Sequence, residues 1–369
     1  MKITVLTSSR ADYGILRPLM VKLNSDKKFD LRIVAFGSHN SKFYGNTAQE
    51  IEKDGLKIFK KIDTLLIDDS PGGISKGIGL TFAKFAEFWS ENVSDLILCL
   101  GDRYEMFAAV GAAVPFNIPI AHISGGEITE GAIDNIYRNS LSLMATYHFA
   151  STEIYQENIV QLCRSDKHVY NVGALNYDNL VSMDYYSIEE FKQQFEIDLN
   201  HKTILITFHP ETVSFERNTE YAEQLILALE ESGGYQQLIT MPNADTSGMI
   251  IREKLIDYSK NTTNRVQLVE SLGWKGYLSA IKLCSFLLGN TSSGFVEASF
   301  FPKNVINLGN RQKGRIITDN IFCCEVEKNK ILTAISKVTK KTEVQKVNLY
   351  GDGNASSKIL AILSEITKK

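Results

Sequence analysis

Short runs of β-branched and aromatic residues alternate with longer amphipathic stretches from the start of the chain. KITVLT, LRIVAFG, LKIFKKI, LILCLG, IPIAHIS, YHFAST and HVYNVG read as strands, and stretches such as ILRPLMVKLNSD and SKGIGLTFAKFAEFWSEN between them carry helical spacing. Strands apolar on both faces and joined by helices predict a parallel sheet covered on both sides. Residues 174–186 read as an irregular hinge, after which a helix opens at Ser187 with Glu190 completing a capping box. The scheme then repeats, with KTILITFHP, QQLITMP, VQLVES, SFLLGN and NVINLGN as strands and ERNTEYAEQLILALEESG, KGYLSAIKLC, SSGFVEASFF and KNKILTAISKVTK as helices. The expected fold class is α/β, with two doubly wound Rossmann-like domains over 1–173 and 174–354 and an amphipathic closing helix within 355–369. Such a pair predicts a ligand cleft at the carboxyl ends of both sheets.

Composition narrows the function. A chain of 369 residues exceeds one ordinary core, and 44% hydrophobic, 22% charged residues and a formal net charge of −3 give no polyanion-binding surface. Nucleic acid is therefore not expected as a partner. The N-terminus MKITVLTSSRADYG lacks a signal peptide's apolar core, and no run reaches the roughly 18 apolar residues of a membrane span. A cytoplasmic protein without a membrane partner is the expectation. Cys99, Cys163, Cys284, Cys323 and Cys324 form no CxxC pair, which suits reduced thiols, and the histidines show no HExxH spacing, so no bound metal is expected.

The loops after the strands carry the chemistry. A dinucleotide enzyme would place GxGxxG after the first strand; TSSRADYG stands there instead, which counts against NAD or FAD, and no cofactor is expected. Arg10 in that loop offers a cationic fork to a phosphate, or simply pairs with an acid such as Asp12. Asp102, in LILCLGDRYEMF, either caps a helix or faces the cleft from the end of a central strand. One strand later HISGGEITEGAID supplies Glu127, Glu130 and Asp134. Neighbouring carboxylates in a cleft have their pKa values pushed apart, which suits proton donation by one and acceptance by another. Arg138 lies four residues after Asp134, as a surface ion pair or as the cation that keeps an acid ionised. His209 ends a strand of the second half. The turn Ser292, Ser293, Gly294 before a helix offers backbone N–H groups to an anion, with Glu297 one turn in as an acceptor for ribose hydroxyls. Arg311, Lys313 and Arg315 follow another strand, either as a solvated loop or as phosphate ligands. Together these suit a nucleoside diphosphate sugar, with glycosyl transfer, epimerisation and hydrolysis all open.

In order and spacing, TSSRADYGIL, GSHNSKFYGNT, GDRYEM, HISGGEITEGAID, TFHPET, GNTSSGFVEA and GNRQKGR resemble the UDP-N-acetylglucosamine 2-epimerases, and the GGE variant resembles the hydrolysing branch that feeds sialic-acid-type synthesis. The resemblance spans nearly the whole chain. It implies a glycosyltransferase-B-like fold, a closing helix returning to the first domain and a homodimer. It also implies anti elimination of UDP from UDP-N-acetylglucosamine, hydration of the resulting 2-acetamidoglucal, and release of N-acetylmannosamine. By the same resemblance Asp102, Glu127 and Asp134 carry the acid and base roles. Arg10, His39, Arg138, His209, Ser292, Ser293, Gly294, Glu297 and Arg311 bind substrate, and Glu130 falls in a variable part of the motif.

The chain departs from the family pattern at Ser38, at Asn139 where a histidine is common, and in VGALNYDNL after the last strand of the first half. These departures bear on the sugar and leave the reaction class standing. The alternative substrate is UDP-2,4-diacetamido-2,4,6-trideoxyglucose, used in legionaminic acid synthesis. The remaining alternatives are a glycosyltransferase of the same fold and a non-catalytic nucleotide-sugar sensor, the latter disfavoured by the trio of acids.

Overall fold

The computed structural model describes residues 1–41, 47–68, 70–242, 248–341, 344–346 and 348–367. The 42–46 part of the GSHNSKFYGNT motif lies outside them. The chain divides into two compact units, one of Met1–Glu127, Asp134–Ser182 and Leu349–Lys369, the other of Ile128–Ile133 and Met183–Asn348. Among the described residues no helix is long and apolar enough to cross a membrane.

The first unit contains β1 (Lys2–Thr7), β2 (Asp30–Phe36), β3 (Ile58–Ile62), β4 (Leu96–Leu100), β5 (Ile120–Ile123), β6 (Tyr147–Ala150) and β7 (Val169–Asn171). All pair in parallel, in the order β3-β2-β1-β4-β5-β6-β7. The central strands are buried on both faces, as their apolar runs require, whereas β3 at the edge turns Phe59, Lys60 and Lys61 to solvent. Alternation splits β1 between two cores. Ile3 and Val5 pack with Tyr13, Leu16, Leu19, Met20 and Leu23 of the helix Arg10–Ser25, while Leu6 packs with Phe85, Phe88 and Trp89 of Pro71–Glu91.

The closing helix Ala355–Ile366 adds Ala355, Ile359 and Leu363 to the first of these cores. Asp178 caps it, accepting the backbone N–H groups of Ala355 (2.8 Å) and Ser356 (2.7 Å). Such a cap contributes about 1 kcal/mol. Asn179 donates Nδ2 to the carbonyl of Gly14 at 2.6 Å. These bonds carry the boundary past residue 173, so that the helix Leu175–Ser182 folds with the first unit and the break falls after Ser182.

The second unit contains β8 (Thr203–Thr207), β9 (Gln236–Thr240), β10 (Val266–Val269), β11 (Phe286–Gly289), β12 (Val305–Leu308) and β13 (Ile321–Cys324), parallel throughout in the order β10-β9-β8-β11-β12-β13. Strand β13 is an addition to the sequence reading. Ile204, Ile206 and Phe208 are in the core with Leu225 and Leu229 of Asn218–Glu231 and Ile331 and Ile335 of Lys328–Lys340. In each unit the strand order reverses at one place, between β1 and β4 and between β8 and β11. Ligands of open α/β sheets bind at the carboxyl ends of such strands.

Candidate active site

In the first unit the turn after β1 is organised by Asp12. Its carboxylate accepts the N–H (2.9 Å) and Oγ (2.6 Å) of Ser8 and the N–H (3.1 Å) and Oγ (3.0 Å) of Ser9, forming a capping box that starts the helix at Arg10. Arg10 thus stands at a fixed helix start. His39 requires a correction. Expected to touch substrate, it is fully buried, with Nε2 at 2.8 Å from the Thr7 hydroxyl and Nδ1 at 2.9 Å from that of Thr47. Both ring nitrogens are taken, so the residue braces the β1 turn. Burial pushes its pKa from 6.5 down to about 4, against the pull of Asp12.

Asp102 leaves the end of β4, and its Oδ2 accepts from Nη2 of Arg138. Arg138 is 2% exposed and also donates Nη1 to the backbone carbonyl of Glu127 at 3.0 Å. A planar fork is suited to holding two acceptors at once. Glu127 is nearly buried, and its Oε1 accepts from the Ser151 hydroxyl at 3.3 Å. The chain reaches it through Gly126, whose φ of +76° puts a side chain in a disfavoured region and whose absent Cβ would lie 2.1 Å from the carbonyl oxygen of Tyr155. Asp134 opens the helix Asp134–Met144, half-buried and one turn before Arg138. Arg138 therefore brings Asp102 and Glu127 together, and the helix that carries it begins with the third acid.

The intervening stretch Ile128–Ile133 belongs to the second unit. Glu130 donates its backbone N–H to the Lys313 carbonyl at 2.8 Å and pairs its carboxylate with Lys313 Nζ at 3.0 Å, while Ile133 donates its N–H to the Thr212 hydroxyl at 2.9 Å. Lys313, read as a phosphate candidate, is thus committed to an ion pair. Arg315 is buried, donating Nε to Oε1 of Gln312 at 2.6 Å. Arg311 is half-buried.

Three turns of the second unit are latched by buried side chains. Asn290, after β11, accepts the His209 N–H on Oδ1 (2.7 Å) and donates Nδ2 to the His209 carbonyl (2.8 Å). Gln312 donates Nε2 to the Asn290 carbonyl at 2.9 Å, and Glu211 accepts the Asn310 N–H at 2.7 Å. Burial pushes the Glu211 carboxyl up, against the backbone amides of Asn310 and Arg311. Such buried bonds preorganise a site at low mobility. The anion-site expectation is narrowed. Ser292–Gly294 is a 3-10 turn in which Ser293 gives its N–H to the Thr291 hydroxyl (3.4 Å) and Gly294 gives its own to the Thr291 carbonyl (3.2 Å). The helix expected across SSGFVEASFF is reduced to this turn and the single turn Glu297–Phe300. Ser292 is exposed, and Ser293 and Glu297 are half-buried.

Asn290, Glu211 and Gln312 were not singled out from sequence, although each lies inside a strand-end motif, GNTSSGFVEA, TFHPET and GNRQKGR respectively. Tyr277 was missed as well. Its phenol stands 3.5 Å from the Thr207 hydroxyl at the end of β8 and is pushed up chiefly by burial.

Residues 21–364 match the family described as UDP-N-acetylglucosamine 2-epimerase. The chain is 35% identical over 340 residues to the hydrolysing GDP/UDP-N,N'-diacetylbacillosamine 2-epimerase of Campylobacter jejuni, covering 92% of this chain and 88% of that one. It is 31% identical over 365 residues to the hydrolysing UDP-N,N'-diacetylbacillosamine 2-epimerase of Legionella pneumophila, covering 99% and 96%. Its fold matches the crystal structure of the Neisseria meningitidis UDP-GlcNAc 2-epimerase bound to UDP-GlcNAc with a TM-score of 0.85 at 19% identity, over 99% of this chain and 100% of that one. The fold class is therefore the expected one, two parallel α/β units of the glycosyltransferase-B-like kind. With strand-end acids gathered by one arginine and a match along nearly its full length, the chain belongs to the UDP-N-acetylglucosamine 2-epimerase family.

Proposed function

We propose that the protein is a hydrolysing UDP-sugar 2-epimerase and that Asp102, Glu127 and Asp134 perform its proton transfers. The observation that carries this reading is the Arg138 fork, which holds the Asp102 carboxylate and the Glu127 backbone together. A base removes the proton from C2 of the sugar. Its electron pair forms the C1=C2 bond as the C1–O bond breaks and its electrons leave with UDP. Water then adds to the glycal: its oxygen bonds C1, one of its protons passes to a base, and an acid protonates C2 on the opposite face. A C2 proton is barely acidic, so the base must be fixed and the departing diphosphate neutralised at the same time. Arg10, His209 and Arg311 are assigned to the diphosphate and sugar, and Ser292, Ser293, Gly294 and Glu297 to the nucleotide; Arg138, expected among the substrate ligands, is instead assigned to holding the acids, because its side chain is 3% exposed and donates to Asp102 and the Glu127 carbonyl.

For the sugar, the two diacetylbacillosamine relatives support UDP-N,N'-diacetylbacillosamine, the 2,4-diacetamido-2,4,6-trideoxyglucose considered from sequence as the alternative. UDP-N-acetylglucosamine, placed first by the sequence motifs, is the second reading. Incubation with each UDP-sugar, without an acceptor, separates them. The expected result is stoichiometric UDP and the free 2-epimerised sugar from the diacetamido substrate, with deuterium at C2 in heavy water. An inert mixture with both sugars, or a product without deuterium, overturns the proposal.

A further inference from the structure

His122 lies on β5, fully buried, five residues before Glu127. Its Nε2 is 2.8 Å from the carbonyl oxygen of Gly101, the residue before Asp102. Its Nδ1 is 3.0 Å from the hydroxyl of Ser142. A carbonyl only accepts, so Nε2 carries the ring proton and Nδ1 of the neutral ring accepts from Ser142. Gly101 is held from its other side too, its N–H donating to the Ile123 carbonyl at 3.0 Å.

The same pair lies against the turn that delivers Glu127. A Cβ on Gly125 would stand 2.8 Å from Ser142 Oγ and 3.1 Å from His122 Nδ1. Ser142 itself occupies the helix face of Asp134 and Arg138, at successive intervals of four residues. One imidazole–hydroxyl pair thus touches the turn before Asp102, the turn before Glu127 and the helix that starts with Asp134.

We propose that His122, held by Ser142, is a positioning residue that sets the separation of Asp102 and Glu127. It rests on the epimerase reading above and deepens it. Substrate lies beyond the reach of the sealed ring, whose role is exercised through the Gly101 carbonyl. Burial pushes its pKa to about 4, with His148 and Arg138 opposing its charge and Asp102 favouring it, so the ring stays neutral at working pH.

The test uses the full-length protein with UDP-N,N'-diacetylbacillosamine and UDP-N-acetylglucosamine. His122→Leu removes the donor, and His122→Gln keeps an N–H at the Nε2 position. The expected result is a loss in kcat of roughly 100-fold for His122→Leu, as for a small misplacement of catalytic groups, with KM and UDP affinity within about threefold of wild type. His122→Gln is expected to recover about tenfold of that loss in kcat. Wild-type kcat in a folded His122→Leu overturns the proposal, as does an equal loss in both variants. Nitrogen-15 spectra of the wild-type protein supply a readout independent of turnover and of variant folding. A ring protonated at Nε2 alone from about pH 5 to about pH 8 is expected, and a ring that titrates in that interval overturns the proposal. Absence of turnover in the wild type with both sugars would instead sink the epimerase reading, while the spectra would still decide the tautomer.

Discussion

Arg138 and Asp102 form an unequal ion pair, with the arginine side chain 3% exposed and the aspartate 26%. The cation is sealed away from any ligand, while the acid keeps an accessible edge, so Arg138 acts through the groups it holds. Arg138→Lys preserves the charge but loses the fork that reaches Asp102 and the Glu127 carbonyl together. A loss in kcat of roughly 100-fold is expected, with UDP affinity changed by less than about threefold. Steady-state kinetics beside UDP titration checks it, and near-wild-type kcat in the lysine variant would contradict the role of the fork.

Glu127→Gln keeps the shape of the side chain and its acceptor for Ser151 while removing its capacity to exchange a proton. Turnover should fall by roughly 10²–10⁴-fold, the usual contribution of a general acid or base, with UDP binding nearly intact. Loss of UDP affinity in this variant would show that Glu127 serves the nucleotide and not the sugar.

Most strands were legible because parallel sheets bury both faces and so print as continuous apolar runs. Strand β13 was not, since in IFCC only Ile321 is buried and its register exists only beside β12. The Arg138–Asp102 pair escaped for a different reason. Spacing rules pair Arg138 with Asp134 four residues away, whereas the bond seen joins residues 36 apart and exists only once β4 and β5 are neighbours. His39 shows the limit in the other direction. Its motif position suggested a ligand, and only packing shows that two threonines occupy the ring.

Glu297→Ala tests the nucleotide side. Glu297 is half-buried at the start of a single helical turn, with the Tyr277 phenol in its field. Losing an acceptor for two ribose hydroxyls should weaken UDP binding by roughly 10–100-fold, about 1.4–2.8 kcal/mol, comparable to the contribution of hydrogen bonds to charged groups. Calorimetric titration with UDP checks it, and unchanged affinity with reduced kcat would move Glu297 to the chemical step.

Gly131→Ala tests how firmly the Ile128–Ile133 stretch is seated. An added Cβ would lie 1.8 Å from the Asn310 carbonyl oxygen and 2.8 Å from the Arg311 nitrogen, backbone atoms that no rotamer change can clear. Overpacking of this kind costs about 1–3 kcal/mol, which for a unit of this size lowers Tm by roughly 2–12 °C. UDP affinity should fall with it, because the loop displaced is the one that carries Arg311. A melting curve that superposes on wild type would show that the contact yields without strain.

The pH dependence of stability should carry the mark of His39. Its folded pKa, about 4, lies below the ordinary 6.5 because burial penalises the charged ring; Asp12 favours the charge, and Arg10 opposes it. As pH falls, the unfolded chain binds this proton first. The stabilising contribution is therefore complete above about pH 6.5, falls away as pH drops toward about 4, and is worth on the order of 3 kcal/mol across the interval. Carboxylates titrate in the lower part of this window, so the measurement is a difference. Denaturant midpoints of wild type and His39→Gln, followed from about pH 6.5 to about pH 4.5, should converge as pH falls, because only the wild type has a buried imidazole to protonate. Parallel curves would mean that the ring is already charged, or reaches water, in the folded protein.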